Sequence, residues 1–202
     1  LGVGICMMRR PLAPGPAMPD KTAMRLGAII LAGGHSTRMG RPKESLPFGN
    51  STLLGTVATT LAHCCELVVV VTRDATPPLP PLPPNVARTH DTLTDRGPLA
   101  GLAAGCSWLQ HQGLTATDAA FATACDHAFV TPPVVTLLAQ RLGQHDALIP
   151  RNDGHPQPLC AVYRLHIATL IPALLARGES SLRSLLSNID AQFVDAEELR
   201  GV

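Results

Sequence analysis

Residues 28–43 read AIILAGGHSTRMGRPK, and this stretch decides the fold. Its first five residues form an apolar run that stops at Gly33 and Gly34, the pattern of a buried strand emptying into a loop. The same pattern recurs down the chain. Residues 67–71 (LVVVV) are the most strongly β-branched stretch and read as a central parallel strand. Residues 119–125 form another apolar strand, ending at Asp126, and residues 85–90, 147–150, 159–163 and 191–194 read as further strands. Helical patterns lie between them. Residues 52–65 place Leu53, Leu54, Val57 and Leu61 on one face, and a second helix over 99–111 follows Gly97-Pro98. Others are expected at 132–142, behind Pro132-Pro133, and at 167–176 and 180–187. Strands alternating with helices predict a mostly parallel sheet in a three-layer α/β domain, with no internal repeat.

Composition narrows the function. Sixteen Lys and Arg against 15 Asp and Glu leave a net charge of +1, without the basic surplus that a nucleic-acid or anionic-membrane binder needs. At 46% hydrophobic residues the chain is too apolar to be disordered, and at 3% aromatic it lacks stacking platforms for single strands. Proline and glycine concentrate at 11–19 and 77–84, two irregular segments, the second expected to be a stiff polyproline-like spacer. The six cysteines form no CxxC pair, which fits reduced structural thiols in a cytoplasmic protein. No run reaches the ~18 apolar residues of a membrane helix. The short apolar stretch near Leu1 precedes Arg9 and Arg10, the reverse of a secretory signal. Because the chain opens on Leu1 rather than Met, residues 1–25 are expected to be a disordered extension, with Met18 or Met24 as alternative starts, ahead of one domain over 26–202.

Open α/β sheets bind ligands beyond the carboxyl ends of their strands, so the loops there carry the chemistry. In the first, Gly33 and Gly34 let backbone approach a ligand, while Ser36, Thr37, Arg38 and Lys43 add donors and two fixed charges suited to a polyphosphate. It is not a P-loop, since no Lys follows Gly40 directly, and no GxGxxG is present. Its alternative is a solvated glycine-rich turn. Asp126, at the end of an apolar strand, has a carboxylate placed to hold Mg²⁺ together with substrate phosphates, or else to cap the next helix. Asp91 precedes a turn containing Asp95 and Arg96, and Thr72, Arg73 and Asp74 end a central strand.

The first loop resembles the LAGGxSxRMGxxK signature of nucleoside-triphosphate-dependent nucleotidylyltransferases, most closely the molybdenum cofactor guanylyltransferase family. The resemblance continues in order through residues 91–101 (DTLTDRGPLAG), 123–129 (TACDHAF), 155–163 (HPQPLCAVY) and 177–186 (RGESSLRSLL), covering roughly 26–202. It implies a Rossmann-like nucleotidyltransferase fold that transfers GMP from GTP to molybdopterin and releases pyrophosphate. It places the nucleotide on Leu31, Ala32, Gly33, Gly34, Lys43, Asp91 and Asp126, with Mg²⁺ on Asp126 and catalysis by Arg38, Lys43 and Asp126. It turns His155, Gln157 and Arg183 toward molybdopterin, whereas His127 stands where the family varies. Transient contact with molybdoenzyme maturation proteins is a further expectation; contact with nucleic acid or membrane is not. The chain departs from the family in two places. No Asn occurs at 72–74, and none follows the last strand, so the domain is expected to be truncated at its C-terminus or to complete its site differently. The competing readings are a cytidylyltransferase of the same fold, acting on molybdopterin or a sugar or polyol phosphate, and a non-catalytic nucleotide-binding maturation factor.

Overall fold

Strand β1 (Leu26–Ala32) lies at the centre of the sheet in the computed structural model, which describes residues 24–33, 42–73, 79–91 and 97–199. A short hairpin, β2 (Pro47–Phe48) and β3 (Ser51–Thr52), leads into helix α1 (Leu53–Ala62). There follow β4 (Leu67–Thr72), β5 (Val86–His90), α2 (Gly97–His111), β6 (Ala119–Ala124) and α3 (Pro132–Arg141). The last part comprises β7 (Ala147–Asn152), β8 (His155–Pro156), β9 (Cys160–Arg164), α4 (Ile171–Ala176), α5 (Leu182–Leu186) and β10 (Ala191–Asp195).

The main sheet runs β10-β7-β9-β6-β1-β4-β5, with β8 paired to β7. Pairs β1–β4, β4–β5, β1–β6 and β7–β10 are parallel, while β9 is antiparallel to both its neighbours. Alternation along the strands builds two cores. Ile29, Val69, Val71, Ala120 and Ala122 face α2, α4 and α5, and Ala28, Ile30, Val68, Val70 and Phe121 face α1 and α3. Burial on both faces explains why the central strands read as unbroken apolar runs. Helix α2 sits close on β1 because Gly105 faces Ile29; a Cβ there would lie 2.5 Å from Ile29 Cγ2.

From β1 the chain moves outward through β4 and β5, then crosses by α2 to β6 on the other side of β1. That reversal opens a crevice at the carboxyl ends of β1, β4 and β6, the position at which such sheets take ligands.

Several expectations change. The helix read over 167–176 is a 3-10 turn (Leu165–Thr169) followed by α4, because Pro172 lacks the N–H that a continuous helix needs there. The Pro-rich segment is not a free spacer over its described part, since Leu79 and Leu82 pack on the α1-side core. After β7, Asp153 and Gly154 take left-handed φ values of 49° and 74°, the signature of a two-residue hairpin turn that returns the chain as β8. Arg151 pairs with Pro156 and Gln157 N–H still donates to Pro150 O at 2.8 Å, but Leu148 pairs with Val162, so the extra residues bulge out after Gln157, in the turn that Cys160 N–H closes onto Gln157 O at 3.0 Å. Residues 1–23 of the expected extension lie outside the described residues. Arg25 is tied down: its N–H donates to Asp118 Oδ1 at 2.9 Å and its guanidinium pairs with Glu66.

Candidate active site

The crevice is walled by segments that follow strands and by the start of α2. Lys43 opens a short 3-10 turn (Lys43–Ser45) whose backbone is pinned by Ser45 N–H to Pro42 O (3.2 Å) and Leu46 N–H to Lys43 O (3.1 Å). Opposite it, Cys125 N–H donates to Leu31 O at 3.1 Å, prolonging the β6–β1 ladder by one residue. His127 N–H then turns back to Ala124 O at 3.2 Å, which leaves Asp126 at the tip. The two side chains meet, with Lys43 Nζ donating to Asp126 Oδ2 at 2.9 Å. On the far wall, Asp91 N–H donates to Thr72 O at 2.8 Å, so the β4–β5 ladder delivers Asp91 beside Thr72 and Arg73. The crevice enclosed by these loops measures about 250 Å³ and is lined by Leu31, Ala32, Gly33, Lys43, Val71, Thr72, Arg73, Asp91, Gly97, Pro98, Gly101, Ala124, Cys125, Asp126 and Leu159.

Glycine is required at two points. Gly33 has φ +109°, and a Cβ there would sit 3.1 Å from Arg73 N, so the ends of β1 and β4 approach only because it has none. Gly97, at φ +69°, would place a Cβ 2.7 Å from Ser180 O, the carbonyl to which Leu99 N–H donates. This contact seats the start of α2 against the segment before α5.

Electrostatics favour an ionised carboxylate. Partial burial pushes the Asp126 carboxyl upward, but the Lys43 hydrogen bond and charge, helped by His127, outweigh this and hold it below the ordinary carboxylate range. The adjacent Cys125 thiol is pushed up to about 12 by burial and by the Asp126 and Glu44 charges, which keeps it a neutral wall residue. His127 is occupied elsewhere, with Nδ1 3.2 Å from the buried Thr123 hydroxyl. Among the described residues no group of three or more His, Cys, Asp or Glu side chains is arranged to hold a metal.

A family model described as a MobA-like NTP transferase domain matches residues 28–193, across β1 to β10. The chain belongs to the MobA-like NTP transferase family. It is 35% identical over 169 residues to a "probable molybdenum cofactor guanylyltransferase" of Mycobacterium tuberculosis, covering 82% of this chain and 81% of that protein. With the like-named protein of Mycolicibacterium paratuberculosis it shares 33% identity over 182 residues, 88% and 89% of the two chains. The fold is also similar to that of molybdopterin-guanine dinucleotide biosynthesis protein A from Archaeoglobus fulgidus, with a TM-score of 0.67, 24% identity and coverage of 86% and 85%. A more remote likeness is 2-C-methyl-D-erythritol 4-phosphate cytidylyltransferase from Thermus thermophilus, with a TM-score of 0.58, 14% identity and coverage of 83% and 87%. Membership makes this chain a nucleotidyltransferase on a Rossmann-like fold.

This MobA-like transferase brings Leu31, Ala32, Gly33, Lys43, Asp91 and Asp126 into one crevice. Gly34 and Arg38 lie outside the described residues, as do Asp74, Asp95 and Arg96. The three residues expected to face the second substrate do not line the crevice. His155 is exposed on β8, and its carbonyl accepts from Gln157 Nε2 at 3.1 Å; Arg183 is exposed on α5. Leu159, two residues after Gln157, does line it. The Asp153-Gly154 turn was the available signal for that hairpin; nothing in the sequence marks Leu159 itself.

Proposed function

We propose that this transferase moves GMP from GTP to molybdopterin and releases pyrophosphate, forming the guanine dinucleotide of the molybdenum cofactor. The observation that carries the proposal is the 2.9 Å pairing of Lys43 with Asp126 inside the crevice that Asp91 and the first-strand glycine also line. The names of the relatives at 33% and 35% identity support guanylyl transfer and an acceptor of the molybdenum cofactor class.

The reaction needs positioning and charge more than covalent help. A phosphate oxygen of the acceptor attacks the α-phosphorus, and the bond from that phosphorus to the oxygen bridging to the β-phosphate breaks. Pyrophosphate carries away the electron pair. Lys43 offsets charge on the transferring and departing groups, aided by Arg38. Gly33 lets main chain approach the phosphates, and the Asp91 carboxylate suits the paired N1–H and N2–H₂ donors of guanine. An ionised, half-exposed Asp126 at a strand end fits Mg²⁺, which needs one or two protein carboxylates when substrate phosphates complete its shell. Bound there, Mg²⁺ would supply Lewis-acid neutralisation of phosphate charge. The five described cysteines are free, which suits the reducing cytoplasm in which we place the enzyme.

Pyrophosphate release with GTP, Mg²⁺ and molybdopterin tests the reading. Release that requires all three supports it, and equal release with CTP overturns the guanine assignment.

A further inference from the structure

The crevice is laid out along the sheet. Asp91, Arg73, Gly33 and Asp126 follow β5, β4, β1 and β6, four strands that are neighbours in that order, and all four residues line it. The next strand is β9, which is antiparallel to β6 and so begins where β6 ends. Cys160 is registered with Thr123, which puts Leu159 at the end of β6 where Asp126 leaves the strand. Leu159 lines the crevice too, at the end remote from Asp91. With the base at Asp91, the phosphates at Gly33 and the reacting centre at Asp126, a nucleotide takes up the first four positions. The wall at Leu159 is left to the second substrate.

A turn, rather than a strand, delivers Leu159 there. Gln157 N–H donates to Pro150 O of β7 at 2.8 Å, and Cys160 N–H closes onto Gln157 O at 3.0 Å. Pro158 and Leu159 are the two central residues of that turn, and a proline at the first of them presets its φ. A third tie comes from inside the protein. Tyr163 is fully buried in the α2-side core, on which Leu159 also packs, and its hydroxyl donates to Pro158 O at 2.8 Å. Burial pushes its ionisation far above the ordinary tyrosine range, so the hydroxyl stays a donor. A phenylalanine would fill the same space without a polar group to satisfy. The hydroxyl therefore serves the turn, and through the turn it fixes the position of Leu159. An aliphatic side chain at a crevice wall offers a surface for a flat ring face, not for a phosphate.

Resting on the acceptor assigned above, we propose that Tyr163 is a positioning residue for molybdopterin: through Pro158 it holds Leu159 against the ring system of the acceptor, at the end of the crevice opposite Asp91.

The test is anaerobic binding of molybdopterin and, separately, of GTP with Mg²⁺ to wild type, Tyr163→Phe, Leu159→Ala and the double variant, alongside pyrophosphate release and Tm. Leu159→Ala removes part of an apolar contact and should weaken molybdopterin binding roughly tenfold. Tyr163→Phe keeps the ring and drops one hydrogen bond, so it should weaken that binding roughly twofold to tenfold. Both should raise KM for molybdopterin and leave kcat and GTP binding unchanged. In the double variant the Tyr163 effect should vanish, because the hydroxyl acts through Leu159. Four results overturn the proposal: wild-type molybdopterin affinity in either single variant, GTP binding weakened as much as molybdopterin binding, losses that multiply in the double variant, or no molybdopterin binding by wild type. Losses confined to molybdopterin binding, in a protein that releases no pyrophosphate, would sustain the proposal and refute GMP transfer instead.

Discussion

Replacing Lys43 with alanine separates catalysis from folding, because the same ion pair is worth very different amounts in the two. Lys43 and Asp126 are 2.9 Å apart, with side chains 44% and 37% exposed. Solvent-screened pairs of this kind contribute only ~0.2–1 kcal/mol to stability. For a domain of this size that moves Tm by about 0.4–4 °C. On the proposed reading, a triphosphate bound in the crevice would set the ammonium against developing charge with water displaced from around it. There a single preorganised donor is worth ~10²–10³ in rate, about 2.7–4 kcal/mol. Lys43→Ala should therefore lose two to three orders of magnitude in pyrophosphate release, and weaken GTP binding, while its melting curve barely shifts. A second readout follows from the carboxylate. Lys43 helps hold Asp126 below the ordinary range, so its removal should move the acid limb of the rate profile to higher pH. Turnover within threefold of wild type, or a collapse in Tm large enough to explain the lost activity, would refute this account of the crevice.

Three other substitutions probe separate parts of the argument. Asp126→Ala should abolish Mg²⁺-dependent turnover and leave the circular dichroism spectrum unchanged; retained activity would remove Asp126 from the metal role. Gly97→Ala forces a side chain into left-handed φ and against Ser180 O at 2.7 Å, so it should cost ~1–3 kcal/mol by denaturant titration and loosen GTP binding. Asp118 accepts from Thr115 N–H (2.7 Å), the Thr115 hydroxyl (2.9 Å) and Arg25 N–H (2.9 Å). Burial pushes its carboxyl up, but these donors and the Arg25 charge bring it below the usual value. A depressed acid stabilises the fold above its unfolded pKa of ~3.9 and loses that contribution as pH falls through the folded value. Asp118→Asn should accordingly lower Tm at pH 7 and flatten its decline below about pH 4. A parallel decline in both proteins would show that the linkage is wrong.

The parts of the fold legible in the sequence are those where local chemistry and global position agree. The runs 28–32 and 67–71 are apolar on both faces because helices cover both, so their burial could be read without coordinates. The meeting of Lys43 with Asp126 was foreseeable for a topological reason: both follow strands that flank the reversal in strand order. The direction of β9 was not, since five residues of mixed polarity carry no sign of which way they run. The break before α4 is written in Pro172, whose missing N–H stops one continuous helix. That His155, Gln157 and Arg183 stand outside the crevice lining was not legible, because hairpin register and helix phase decide which residues reach it and motif spacing contains neither.

The bulge after Gln157 separates two obligations of one hairpin. Below it, the Leu148–Val162 pairing secures the sheet, and above it, the Arg151–Pro156 pairing closes the turn. Neither depends on how many residues lie between. Descendants of this chain could lengthen, shorten or rewrite that interval and retain every strand in place. The wall that Leu159 gives the crevice is thus free to drift, while the strands that carry Lys43 and Asp126 into it stay where they are.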